Sequence, residues 1–175
     1  MNSKPLIILG SSRKDGHTAK AIDTITGTSP LPFVDLSSLN MTYFDYDFEN
    51  RADDFIPLME KVVEHNPLIL ATPVYWYTMS AVMKTFLDRW SDLLTFRKDL
   101  GKKLKGKDLY LITSFGTSMP KGFEEPFIQT ADYMGMHFRG CFYFYSGKDP
   151  DLMKENERRV KEFKALLKKN GVLSS

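Results

Sequence analysis

The chain has 175 residues and a formal net charge of +2, and 42% of its residues are hydrophobic and 26% charged. This length suits one domain with a single buried core, so we expect one domain over residues 1–175. No apolar stretch reaches the roughly 18 residues that a membrane span needs. The densest basic run, at residues 102–107, is short and is predicted to be a solvated connector. Neither a membrane nor a nucleic acid is therefore expected as a partner.

Two features of the sequence predict a cytoplasmic location. The first four residues lead directly into an apolar segment, with no signal-like region between them. The single cysteine, Cys141, cannot form a disulfide within the chain, and it lies among aromatic residues. We therefore predict that Cys141 is a buried and unreactive thiol.

Five short apolar segments alternate with amphipathic ones along the chain. The predicted strands span residues 5–10, 32–36, 67–71, 108–114 and 138–145, and the predicted helices span 17–27, 53–65, 79–95, 123–135 and 150–170. Strands that alternate with helices in this way form parallel βαβ units, so the sequence predicts an α/β fold. The stretch from 37 to 50 is predicted to be an irregular surface excursion rich in Tyr, Phe and Asp.

A hydroxyl-rich loop at residues 10–18 follows the first predicted strand. A phosphate needs converging backbone N–H groups, hydroxyl donors and preferably a helix N-terminus, and this loop offers all three. Its side-chain donors are Ser11, Ser12, Arg13 and Thr18. The alternative is a polar turn in which Thr18 or Ser12 caps the following helix.

The spacing of this loop disfavours two common nucleotide-binding motifs. The Walker loop has the pattern G-x-x-x-x-G-K-[ST], whereas here five residues separate Gly10 from Gly16 and His17 occupies the lysine position. The loop also lacks the G-x-G-x-x-G pattern of dinucleotide-binding folds. A nucleotide-hydrolysing enzyme and a Rossmann dehydrogenase are therefore both disfavoured.

Three adjacent aromatic residues, Tyr75, Trp76 and Tyr77, follow the third predicted strand. Successive side chains of an extended segment point in different directions, so the three cannot all enter one core. A flat ligand could stack on the exposed rings, and Pro73 stiffens the backbone that precedes them. The alternative is that Trp76 and Tyr77 pack beneath a neighbouring helix or at a subunit contact.

A third polar loop begins at Ser114 and contains Gly116. The carboxyl ends of parallel strands meet at one edge of a sheet, so the three loops can surround one ligand. We expect its phosphate at the first loop and a ring system at the other two. No histidine pairs with a cysteine or another histidine at metal-ligand spacing, so no metal site is predicted.

Nearly the whole chain resembles the flavodoxin-like NAD(P)H-dependent FMN reductase and quinone reductase family. The matching residues are 10–13 with Gly16 and Thr18, then 72–76, then Lys84 with Asp88 and Arg89, and finally Gly106 with Lys107. The resemblance implies a doubly wound three-layer sandwich whose five-stranded parallel sheet has the order 2-1-3-4-5. It also implies that FMN is bound non-covalently.

The same resemblance implies where the cofactor lies. Its phosphate would be surrounded by Ser11, Arg13, Gly16, His17 and Thr18, with Ser12 as a further hydroxyl of that loop. The isoalloxazine would lie along Pro73, Val74, Tyr75 and Trp76, with Ser114 and Gly116 closing the site. We further expect Tyr75, Trp76 and Tyr77 to shape the pocket above the ring. Family members are often dimers or tetramers whose contact lies near the helix carrying Asp88 and Arg89, so we expect a homodimer or homotetramer.

We therefore expect an FMN-dependent oxidoreductase that takes hydride from NADPH or NADH and passes electrons to a quinone or a similar small acceptor. The cofactor carries this chemistry, so no dedicated acid or base side chain is required. One alternative is a flavodoxin-type electron carrier that binds FMN and docks protein partners, although such carriers are typically strongly acidic. The other is a nucleotide or phosphate sensor without redox chemistry at the same sheet edge.

Overall fold

The computed structural model describes residues 4–27, 31–49 and 51–174, so the first three residues and Asn50, the end of the predicted excursion, lie outside it. Its five strands are β1 (Leu6–Leu9), β2 (Phe33–Asp35), β3 (Leu68–Pro73), β4 (Asp108–Phe115) and β5 (His137–Tyr145). All neighbouring strands are parallel, and their order is β2-β1-β3-β4-β5. The predicted sheet topology is confirmed.

Seven α-helices lie within the described ranges. They are α1 (His17–Thr26), α2 (Phe55–Val62), α3 (Ala81–Asp88), α4 (Asp92–Thr95), α5 (Lys98–Leu104), α6 (Glu125–Tyr133) and α7 (Pro150–Lys169). Short 3₁₀ turns follow β2 at Leu36–Ser38 and α3 at Arg89–Ser91. None of the described helices is long and apolar enough to cross a membrane.

The central strands β1, β3 and β4 are buried on both faces, which explains why β1 and the first half of β3 are continuous aliphatic runs. In β1, Leu6 and Ile8 pack into the core beneath α2 to α6, whereas Ile7 and Leu9 pack into the core beneath α1 and α7. Successive side chains of a strand point to opposite faces, so four consecutive apolar residues supply both cores. The layers are helices, sheet and helices.

The helices depart most clearly from the predictions in two places, and the ends of the other predicted helices differ by at most three residues. The helix predicted over 79–95 is interrupted by the 3₁₀ turn that separates α3 from α4. The predicted connector at 102–107 is wrong in part, because its first residues are the last turn of α5. Leu100 and Leu104 anchor this short helix in the core, while Lys102 and Lys103 stay exposed.

A buried cluster of ion pairs holds the excursion between β2 and α2 against the end of α3. Arg89, which is fully buried, pairs with Asp53 and with Asp92 at 2.9 Å. Arg51 pairs with Asp45 and Asp92, each at 2.9 Å. The guanidinium of Arg89 is thus enclosed by its own chain.

The single thiol lies on β5. Burial raises the pKa of the Cys141 thiol well above its usual range, and the nearby Glu124 carboxyl adds to this effect. A thiol that stays protonated is a poor nucleophile, in agreement with the unreactive cysteine predicted from the sequence.

Candidate cofactor site

A cavity of about 580 Å³ opens at the carboxyl edge of the sheet, where the segments that follow β1, β3, β4 and β5 meet. Pockets of about 300–1,000 Å³ are typical of small-molecule and cofactor sites. The lining consists of Ser11, Arg13, Asp15, Gly16, His17, Thr18, Lys20, Pro73, Val74, Tyr75, Ser114, Phe115, Gly116 and Ser146. Three loops that are far apart in the sequence therefore share one cavity, as predicted.

The N-terminus of α1 borders the cavity and has no side-chain cap. Its capping position is Gly16, which offers no side-chain acceptor to the first-turn N–H groups. Of the described α-helices, two have a side-chain cap: Ser80 Oγ caps α3 by accepting from the Met83 N–H at 3.1 Å, and Asp149 caps α7. Like α1, the helices α2, α4, α5 and α6 have none, but they do not border this cavity. The first-turn N–H groups of α1 are thus left for a ligand, and they favour an anion.

Gly10 allows α3 to approach the first loop closely. A Cβ at this position would lie 2.8 Å from Met83 Cβ and 2.9 Å from Met83 Cα. Real Cβ atoms do not come this near to other carbons, so any larger residue would displace α3. The glycine therefore sets the distance between the first loop and the helix that follows the second loop.

Buried hydroxyl groups join the first, second and third loops. Ser80 Oγ donates to the Gly10 carbonyl at 2.6 Å, and the Ser80 N–H donates to Thr72 Oγ1 at 3.1 Å. Thr113 Oγ1 on β4 donates to the Thr72 carbonyl at 2.8 Å. Buried hydrogen bonds of this kind fix the relative positions of the loops before any ligand arrives.

A further hydroxyl pair lies in the cavity wall itself. Thr18 Oγ1 and Ser114 Oγ are 2.8 Å apart, and either one can be the donor. Only 1% of Thr18 and 4% of Ser114 is exposed, although both line the cavity. This bond connects the start of α1 to the end of β4 across 96 positions of the sequence.

The second loop is a tight turn with aromatic residues at its tip. Tyr75 and Thr78 exchange two backbone hydrogen bonds, of 2.9 and 3.0 Å. The two residues between them, Trp76 and Tyr77, have φ values of +47° and +67° and are 92% and 74% exposed. Two-residue turns with positive φ at both positions normally use glycine or asparagine, so this one is strained.

The segment that follows β5 forms a further wall of the cavity, through Ser146. Both the N–H and the Oγ of Ser146 donate to the Phe115 carbonyl, at 2.8 and 3.0 Å. Asn156 of α7 fixes the preceding residue, because its Oδ1 accepts from the Tyr145 N–H and its Nδ2 donates to the Tyr145 carbonyl, each at 2.8 Å. Ser146 and Phe115 are thereby held together in the lining.

Most of the residues predicted from the sequence line the cavity. They are Ser11, Arg13, Gly16, His17, Thr18, Pro73, Val74, Tyr75, Ser114 and Gly116. Ser12, Trp76 and Tyr77 are described but lie outside the lining, at exposed positions beside it. Sequence reasoning missed Asp15, Lys20, Phe115 and Ser146. Ser146 could have been found by applying the strand-end rule to β5 as well.

Charged side chains gather at the mouth of the cavity rather than in its depth. Arg13, His17 and Lys20 are exposed cationic or titratable groups of the lining, and Asp15 is the one acidic group among them. Such a mouth attracts a small anion. Within residues 4–27, 31–49 and 51–174, no group of three or more His, Cys, Asp and Glu side chains is arranged to hold a metal ion.

Comparison with known proteins gives consistent matches. The sequence profile of the NADPH-dependent FMN reductase family matches residues 3–151. YwqN of Bacillus subtilis strain 168, named as an NAD(P)H-dependent FMN-containing oxidoreductase, is 31% identical over 116 residues, which cover 63% of this chain and 64% of YwqN. YrkL of the same strain, named as an NAD(P)H oxidoreductase, is 30% identical over 142 residues, which cover 69% of this chain and 80% of YrkL.

A solved structure extends the likeness to the fold. The Trp repressor binding protein of Bacillus subtilis superposes with a TM-score of 0.73 at 23% identity, and the match covers 94% of this chain and 97% of that protein. At this identity the likeness concerns the fold alone. The sequence match to YwqN spans slightly less than two thirds of that relative.

Proposed function

Because this chain belongs to the NADPH-dependent FMN reductase family, we propose that it is an oxidoreductase that binds FMN at the carboxyl edge of its sheet. In the proposed reaction, NADPH or NADH reduces the bound FMN, and a small flat molecule such as a quinone takes the electrons. The observation that carries this proposal is that an uncapped helix N-terminus, the end of β3 and the end of β4 line one and the same cavity.

The residues of the cavity suit the two ends of FMN. A phosphate needs N–H and hydroxyl donors, and the uncapped start of α1 stands beside the buried hydroxyls of Ser11 and Thr18. A flat ring needs a wall of backbone groups and aromatic surface, which Pro73, Val74 and Tyr75 provide. We propose that Ser12, Arg13, Gly16 and His17 complete the phosphate end, and that Trp76, Ser114 and Gly116 complete the ring end.

When bound, FMN supplies the hydride-transfer chemistry. The contribution of the chain is to hold and orient the reactants. The hydroxyl bonds between the loops keep the cavity in one shape, so little reorganisation is needed on binding. The exposed Trp76 and Tyr77 rings provide flat apolar surface beside the cavity, on which a nicotinamide or a quinone could stack. In this proposal, Tyr75, Trp76 and Tyr77 together shape the pocket above the isoalloxazine ring of FMN.

Anaerobic spectroscopy tests the proposed reaction. Purified protein loaded with FMN should lose its flavin absorbance on addition of NADPH or NADH and regain it on addition of a quinone. Loss of absorbance without reoxidation by any small acceptor would instead favour an electron carrier that uses a protein partner. The formal net charge of +2 already disfavours a carrier, because carriers of this fold rely on a strongly acidic docking surface.

We further propose that two copies of the chain associate through a groove between α3, α4 and α6. The groove has a volume of about 410 Å³ and is lined by uncharged residues: Leu87, Trp90, Ser91, Leu94, Gln129, Thr130, Tyr133 and Met134. Tyr133 is 76% exposed, and the buried Nε1 of Trp90 has no hydrogen-bond partner among the described residues. An uncharged face can meet its own copy without repulsion.

Sedimentation or light scattering tests this association. Leu94→Glu would bring charge into the groove and should convert the wild-type dimer, or tetramer, into smaller species. Phe96→Glu is a matched control, because Phe96 is an exposed apolar residue outside the groove lining. A monomeric wild type would refute the association.

The single cysteine also fits the proposed cytoplasmic location, where disulfides are rare.

A further inference from the structure

We propose that Ser114 acts on the phosphate of the cofactor through Thr18, as a positioning residue. This inference rests on the proposed function and assigns Ser114 a task beyond closing the ring end of the site. It starts from a hydroxyl pair in the cavity wall that links the start of α1 to the end of β4, Thr18 Oγ1 and Ser114 Oγ at 2.8 Å.

The pair has two hydrogen-bonding states, because each hydroxyl has one hydrogen and two lone pairs. If Thr18 donates to Ser114, the hydrogen of Ser114 is free and Thr18 shows only lone pairs to its surroundings. If Ser114 donates to Thr18, the hydrogen of Thr18 is free to point elsewhere. Neither hydroxyl forms another hydrogen bond within the described residues. The structure therefore leaves the direction of the bond to a ligand.

A phosphate selects one of these states. Thr18 is the second residue of α1, whose uncapped N-terminus is the anion-binding feature of the cavity. A phosphate dianion only accepts hydrogen bonds, so it requires the hydrogen of Thr18, and Ser114 must then donate to Thr18. The resulting chain, from Ser114 to Thr18 to phosphate, polarises each bond along it and strengthens the last one.

Both members of the pair are fixed by regular secondary structure. Ser114 is the next-to-last residue of β4, and its carbonyl accepts from the Val74 N–H at 2.8 Å. Thr18 is almost completely buried within the first turn of α1. Because β4 fixes Ser114 in place, its side chain can hold the Thr18 hydroxyl in one orientation.

Comparing FMN with riboflavin isolates this effect, because riboflavin has the same ring system and side chain but no phosphate. We suggest measuring both dissociation constants by quenching of flavin fluorescence for the wild type, Thr18→Val, Ser114→Ala and the double variant. The ratio of the riboflavin constant to the FMN constant reports how much the phosphate contributes. Melting curves of each variant show whether it is folded.

The proposal predicts a specific pattern of ratios. Thr18→Val should lower the ratio by about 10-fold or more, since it removes a hydrogen bond to a charged group. Ser114→Ala should lower it by about 3-fold to 10-fold, and the double variant should be no worse than Thr18→Val alone. Thr18→Ser keeps the hydroxyl and should keep a ratio near that of the wild type.

Other outcomes would overturn the proposal. If Ser114→Ala weakens FMN and riboflavin equally, Ser114 acts only on the ring system and not through Thr18. If the double variant loses much more than Thr18→Val, Ser114 reaches the phosphate independently. If the wild type binds neither flavin, the proposed function itself fails and this proposal fails with it.

Discussion

Among the residues of the first loop, Gly10 has a direct structural reason for its identity, which is its close contact with Met83 of α3. We expect Gly10→Ala to lower the free energy of unfolding by about 1–3 kcal/mol, because the added Cβ would lie 2.8 Å from Met83 Cβ and force α3 outward. The same displacement should weaken FMN binding. Denaturant unfolding and a flavin titration measure the two effects.

Gly116→Ala provides the control for this prediction. A Cβ at Gly116 would find its nearest neighbour, Ser146 Oγ, at an ordinary 3.9 Å. Its stability should stay within about 0.5 kcal/mol of the wild type. Equal destabilisation by the two alanines would show that the contact with Met83 is not what requires a glycine at position 10.

Arg89 contributes to stability through the charges that it neutralises. Arg89→Met would leave the buried Asp53 without its cation and the buried Asp92 with Arg51 alone, and we expect it to cost about 3–5 kcal/mol in denaturant unfolding. Lys84→Met removes the cation of an exposed pair on α3, Lys84 with Asp88, and should cost about 0–1 kcal/mol. Similar costs for the two variants would contradict the structural importance of the buried cluster.

Asp53 gives this cluster a dependence on pH. Burial by itself would raise the pKa of Asp53, but hydrogen bonds from Arg89, Thr42 and Phe55 outweigh it, and the pKa lies below its ordinary value of 3.8. A lowered pKa in the folded state stabilises the fold above pH 3.8, and this stabilisation is lost as the pH falls toward the lower folded value. In urea unfolding, the free energy of unfolding should fall less between about pH 6 and about pH 3 for Asp53→Asn than for the wild type.

At the scale of elements, the turn after β3 combines backbone strain with exposed aromatic rings. Tyr77→Gly and Tyr77→Ala both remove the ring, but only glycine adopts φ near +67° without steric cost. We expect the glycine variant to be more stable than the alanine variant by about 1 kcal/mol in thermal or denaturant unfolding. If the ring binds the nicotinamide or the acceptor, both variants should raise KM to a similar extent.

The two edge strands of the sheet, β2 and β5, are protected against pairing with a strand of another molecule. β2 has only three residues. The register between β4 and β5 shifts between Leu109 and Tyr110, so Arg139 of β5 forms a bulge and is not paired with a β4 residue in the ladder. At the carboxyl end of β5, the Asn156 side chain hydrogen-bonds to the backbone N–H and carbonyl of Tyr145. Bulges and short edge strands are common means of preventing association through sheet edges. This favours helices, rather than the sheet, as the contact between copies.

For the whole molecule, the sequence predicted the sheet better than the helices. Aliphatic runs such as Leu6–Leu9 mark strands buried on both faces, and the alternation of elements is typical of a parallel sheet. α5 was missed because its core contacts depend mainly on Leu100 and Leu104 within a lysine-rich segment. The break after α3 lies at Arg89, whose partners Thr42 and Asp53 are 47 and 36 positions away in the sequence, so a local pattern could not predict their contacts.

The candidate site was predictable to the extent that it follows from strand ends. Polar loops after β1, β3 and β4 could be found in the sequence, and the strand order brings them together. The bond between Thr18 and Ser114 could not be predicted, because a contact over 96 positions depends on the orientation of two side chains. The same is true of the turn that places Trp76 at an exposed position beside the cavity lining.

The binding of FMN to the wild-type chain tests the central claim most directly. When protein is titrated into FMN at fixed concentration, we predict that the flavin fluorescence is quenched to saturation at one FMN per chain. In a parallel titration riboflavin should bind more weakly, since the uncapped start of α1 holds the phosphate. If FMN in excess is not quenched, or if riboflavin binds as tightly as FMN, the phosphate does not lie at this helix and the account is contradicted.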